Sequence, residues 1–152
     1  MRSYIYPWEN KSMPLVRISL KRGKSDAYVQ AVADGVHEAM TATIHVPDED
    51  RFQIISEHEE GRLITHPSYL GIARTENAVI VQITMLAGRT TEQKQALYRR
   101  IAENLQANPG VRREDVMVVA SENGADDWSF GNGEAQFASR TYEELRGKGK
   151  PQ

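Results

Sequence analysis

Val16-Arg17-Ile18-Ser19-Leu20 and Val81-Gln82-Ile83-Thr84-Met85 read as one strand written twice. Sliding the chain along itself by 65 positions keeps a single ungapped register well beyond these two stretches. Gly23 falls on Gly88, Ser25 on Thr90, Gln30 on Gln95, Ala31 on Ala96 and Glu38 on Glu103. Further on, Val46 meets Val111, Glu49-Asp50 meets Glu114-Asp115, and Ser56-Glu57 meets Ser121-Glu122. A register held from the first strand to the last identifies two copies of one supersecondary unit, residues 14–57 and 79–122.

Each copy reads β-α-β. Val16, Ile18 and Leu20 alternate with Arg17 and Ser19, the period of a strand with one buried face. Gly23 breaks that strand and Ser25 is a natural N-cap. Val29, Val32, Val36 and Met40 follow at helical spacing, with Ala33 and Ala39 on the same face. Val46-Pro47 ends the helix ahead of a second strand, expected over 52–56. In the later copy a strand spans Val79 to Leu86 and Gly88 breaks it. Thr90 or Thr91 caps a helix with the stripe Leu97, Ile101 and Leu105, which Asn108-Pro109-Gly110 ends. The last strand is expected over 116–120.

A crossover helix makes the strands of each copy parallel. A pseudo-twofold axis between the copies pairs their first strands antiparallel. The expected fold is therefore α+β: a four-stranded mixed sheet with both helices on one face. The other face needs cover, which predicts oligomerisation. Antiparallel pairing also sets the start of one first strand beside the end of the other. Pro14 should thus lie near Gly88-Arg89.

Bulk properties narrow the function. A chain of 152 residues suits one domain with a continuous core. An apolar fraction of 39% with 26% charged residues is that of a globular protein, and net charge −2 predicts neither nucleic-acid nor anionic-membrane partners. With no cysteine, disulfides, thiolate zinc sites and thiol catalysis are excluded, and a reducing cytoplasm is the expected location. No apolar run reaches the roughly 18 residues of a membrane span. His37, His45, His58 and His66 lack metal-binding spacing, so no metal is expected. Gly131-x-Gly133 lacks the strand-to-helix setting of a phosphate loop. No cofactor is expected.

Met13-Pro14-Leu15-Val16 followed by β-α-β resembles the tautomerase superfamily. The likeness is nearest to its malonate semialdehyde decarboxylase branch and extends over nearly all of 14–137. It runs through Val46-Pro47, Asp50-Arg51-Phe52-Gln53, Arg89 with Glu92-Gln93-Lys94, and Glu122-Asn123 to Asp127-Trp128-Ser129-Phe130-Gly131. The resemblance implies a homotrimer acting on a small carboxylate substrate. It also implies a catalytic amino-terminal proline, exposed when the initiator methionine is removed. Here that proline is Pro14, and residues 1–13 form an extension ahead of it. An α-amino group starts near pKa ~8, and burial beside cations lowers it into the range of neutral proton exchange. Inside a peptide bond the same nitrogen is a tertiary amide without usable basicity. The alternative to an enzyme is a non-catalytic trimeric binding protein whose proline residues 1–13 block. In that case Tyr4, Ile5, Tyr6 and Trp8 would cover the pocket or pack on a neighbouring subunit.

Arg89 stands at a helix start, where exposed N–H groups favour anions, and arginine grips carboxylates bidentately. It is expected to clamp the substrate carboxylate; the alternative is a solvated arginine, since Lys24 holds the matching place. Asp50 corresponds to the family acid that orients the proline or a water, although its repeat mate Asp115 allows a turn role for both. Arg51 and Gln53 flank it without an assigned role, and Arg74 is expected in a structural ion pair. Trp128, Phe130 and Phe137 correspond to the pocket wall. The decarboxylase branch implies a further arginine where this chain has Ala87. With one fewer cation, tautomerisation of a 2-keto or enol acid is the expected activity, ahead of decarboxylation or hydration. Residues 14–138 are expected to form the domain and 139–152 a flexible tail.

Overall fold

The computed structural model describes residues 14–141 and 144–145. The expectations for Tyr4, Ile5, Tyr6 and Trp8 lie outside those residues, as does most of the tail. The chain runs β1 (Leu15–Lys21), α1 (Asp26–Ile44), β2 (Gln53–His58), β3 (Val79–Leu86), α2 (Thr91–Ala107) and β4 (Val116–Asn123), in the sheet order β2-β1-β3-β4. β1 pairs parallel with β2, β3 parallel with β4, and β1 antiparallel with β3 through Ile18 opposite Val81. The mixed sheet and its two β-α-β repeats are thus as the internal repeat requires.

The core obeys the same repeat. Val16, Ile18 and Leu20 of β1 and their mates Val81, Ile83 and Met85 of β3 are all buried. Against them lie Val32, Val36 and Met40 of α1, matched by Leu97, Ile101 and Leu105 of α2. Both helices begin as their sequences dictate. Ser25 accepts from the Tyr28 N–H at 3.1 Å, and Thr90 forms a reciprocal capping box with Gln93. Gly23 and Gly88, which end the two first strands, both take positive φ (118° and 127°), where a side chain would be strained. The helices meet closely at Gly35: a Cβ there would approach Leu105 Cδ2 to 2.9 Å.

Two strands run further than their apolar patterns. β2 continues to His58 because Leu20 and Lys21 pair with Glu57 and His58, and β4 continues to Asn123 opposite Leu86. Ladder hydrogen bonds extend these ends, where side-chain alternation has already turned polar. On the face away from the helices the sheet exposes Leu15, Ile54, Met117 and Val119.

Candidate active site

The sheet register assembles one corner from both copies. Pro14 is buried immediately before β1. Its neighbour Leu15 pairs with Thr84, and two residues past Thr84 lies Leu86, whose carbonyl accepts from Arg89 Nη1 at 2.8 Å. On the other side of β1, the Val16 N–H donates to the Phe52 carbonyl at 3.0 Å, so the segment carrying Asp50 and Phe52 borders the same corner. Residues distant in sequence meet because antiparallel pairing sets the start of β1 against the end of β3.

Arg89 is only 7% exposed and Asp50 8%, which removes the solvated alternative for the arginine. Burial pushes the Arg89 guanidinium below its ordinary value, and the charges of Glu122 and Asp50 oppose that shift. It stays protonated at any physiological pH. Glu122, near the end of β4, is also ion-paired with Lys94 of α2. A charge out of water is stabilised by counter-charges, and Glu122 and Asp50 act on Arg89 in that way.

Three Phe rings wall the corner. Phe52 and Phe130 have centroids 5.4 Å apart, Phe130 and Phe137 meet edge-on at 5.7 Å, and Trp128 stacks on Phe130 at 5.6 Å. The Trp128 Nε1–H donates to Asn123 Oδ1 at 2.6 Å, which anchors the stack to the end of β4. Between these rings and Glu49-Asp50 lies a cavity of about 190 Å³, lined by Glu49, Asp50, Phe52, Phe130 and Phe137.

The structure thus gathers Pro14, Asp50, Arg89, Trp128, Phe130 and Phe137 at one end of the sheet. The sequence alone does not mark Phe52 as a wall residue and assigns no role to Lys94, Glu122 or Asn123. The legible signal was positional, since Phe52 follows Asp50 in the turn before β2. Arg51 and Gln53 serve the scaffold. Arg51 donates to Asp34 and Gln53, and Gln53 donates to the Ala33 carbonyl at 2.8 Å. Arg74, expected in an ion pair, instead holds its own loop by donating to the Tyr69 and Ile72 carbonyls. Among the described residues no group of three His, Cys, Asp or Glu could hold a metal, and no helix is long and apolar enough to cross a membrane.

Comparison with known proteins agrees with this architecture. Two family profiles, both described as tautomerase enzyme, match residues 50–131 and 14–73. The probable tautomerase YusQ of Bacillus subtilis (strain 168) is 42% identical over 125 residues, covering 82% of this chain and 98% of that protein. The solved malonate semialdehyde decarboxylase, described as having decarboxylase and hydratase activities, is 32% identical with a TM-score of 0.77. It covers 88% of this chain and 98% of its own. A fused 4-OT wild-type symmetric trimer shares the fold, with a TM-score of 0.68 at 24% identity over 83% of this chain and 99% of that one. With its repeat, its sheet order and these relatives, the chain belongs to the tautomerase family.

Proposed function

We propose that the protein is a cofactor-free tautomerase of a small 2-keto/enol or 3-keto acid, with Pro14 as its amino-terminal acid–base group. The observation that carries this reading is the convergence of the β1 start, buried Arg89 and buried Asp50 on one aromatic-walled corner. Arg89 takes the substrate carboxylate. The planar enol lies against Phe52, Phe130 and Phe137, whose apolar surface favours the neutral form of a nearby amine. The Pro14 nitrogen accepts the enol O–H proton as the carbon–oxygen double bond forms. The resulting prolinium returns a proton to the carbon that loses the carbon–carbon double bond. Asp50 orients the protonated amine. Ala87 leaves this corner one cation short of the decarboxylase branch, which favours proton transfer over carbon–carbon cleavage or hydration.

The reading requires a chain that begins at Pro14, because a peptide-bonded proline offers no basic nitrogen. It also includes a homotrimer, supported by Leu15, Ile54, Met117 and Val119 on the open sheet face, and a cytoplasmic location. Intact-mass analysis of protein from its native cells, paired with phenylenolpyruvate ketonisation, tests it. A Pro14 start with activity that falls about 10²- to 10⁴-fold in Pro14→Ala is the expected result. A Met1 start without activity favours the non-catalytic binding protein.

A further inference from the structure

We infer that Lys94, acting through Glu122, sets how tightly Arg89 grips an incoming carboxylate. The inference rests on the reading of Arg89 as the carboxylate clamp and makes Lys94 and Glu122 positioning residues for it. Three placements support it. Arg89 is fixed by its bond to the Leu86 carbonyl, and Leu86 pairs with Asn123, the residue after Glu122. Glu122 pairs with Met85, so its side chain projects to the helix-bearing side of the sheet, where Lys94 in the first turn of α2 meets it. Both side chains are partly exposed, at 31% and 26%, so water screens the pair somewhat less than on an open surface.

The consequence is a competition. Glu122 and Asp50 are counter-charges that act on Arg89, and a substrate carboxylate must compete with them. Lys94 offsets the Glu122 charge and leaves more of the Arg89 field for the ligand. A lysine in the first helical turn works against the helix dipole, and the pair with Glu122 compensates that cost. Removing Lys94 should therefore weaken carboxylate binding, whereas neutralising Glu122 should strengthen it. A merely structural ion pair would not produce opposite signs.

The test uses the chain expressed from the start found in its native cells, titrated with phenylacetate and with uncharged phenylacetamide. The expected result for Lys94→Met is a phenylacetate Kd raised roughly three- to fivefold. Lys94→Arg should restore the wild-type value. Glu122→Gln should lower Kd by a similar factor, and the double variant should return near wild type. Phenylacetamide affinity should stay constant throughout, and in turnover KM should follow Kd while kcat holds. Equal affinities in wild type and Lys94→Met, same-direction shifts in the two single variants, or no phenylacetate binding by the wild type would overturn the inference. Arg89→Met separates the levels. Wild-type phenylacetate affinity in that variant defeats the clamp itself. Loss of affinity there, with Lys94 variants unmoved, defeats only the role of Lys94.

Discussion

Pro14 and Val79 hold matching places in the two copies, as do Asp50 and Asp115, and Arg89 and Lys24, yet the two corners are built differently. In the second copy Asp115, 1% exposed, accepts from the Thr75 N–H and the Thr75 hydroxyl, both at 2.6 Å. It fastens the segment that leads into β3. Lys24 donates to Asn77 Oδ1 at 2.6 Å, again on that connecting segment, and lies over the ring of Tyr28 in α1. The first-copy corner instead meets an aromatic-walled cavity. The difference teaches how two matching acids come to sit in different surroundings. β3 is preceded by chain for Asp115 to bind, and the place matching Thr75 in the first copy is Asn10, upstream of the proposed start at Pro14. Asp115 holds the chain that leads into β3, whereas Asp50 lines the cavity beside Phe52 and Phe130.

The largest effect that could break this comparison is on substrate binding. Arg89→Met should raise KM for a 2-keto or enol acid roughly 10- to 100-fold, the loss of charge-assisted hydrogen bonds to a carboxylate. Lys24→Met should leave KM within about twofold, because a surface lysine at the other corner contributes little. Equal losses in steady-state assays would mean that both corners bind substrate.

Thermal unfolding sharpens it next. Asp115→Ala strands the Thr75 N–H and should cost about 2–3 kcal/mol, lowering Tm by roughly 5–10 °C. Asp50→Ala should cost turnover while shifting Tm far less. If both acids lower Tm alike, Asp50 is a turn residue like its mate.

The smallest effect concerns the seam between the copies. Arg100 of α2 binds Glu38 of α1, but the repeat mate of Arg100 is Gly35, so this pair has no symmetric counterpart. Hydrogen bonding to Arg100 holds the Glu38 carboxyl below its ordinary range. A depressed folded value means that the contribution is complete above the unfolded pKa near ~4.3 and is lost as pH falls through the lower folded value. In Glu38→Gln that part of the acid slope of Tm should vanish, a change of about 1 °C for so exposed a pair, while Glu103→Gln should keep it.

Much of this molecule was legible without coordinates. The 65-residue repeat predicted the sheet order, and the stripes Val32-Val36-Met40 and Leu97-Ile101-Leu105 predicted the core, because burial on a helix or strand follows a local period. The pairing of like strands set the start of β1, which follows Pro14, beside the end of β3, which precedes Arg89. Each of these rests on neighbours in sequence or on symmetry between two copies. The different surroundings of Asp50 and Asp115 were not legible, since both read as an acid in a turn before a strand. Only the packed structure shows Asp115 holding Thr75 and Asp50 bordering a cavity. The burial of Arg89, the Phe52 wall and the Lys94–Glu122 pair were likewise decided in three dimensions. Burial and Coulomb energy depend on what tertiary packing brings within a few ångströms, and those partners lie tens of residues apart along the chain.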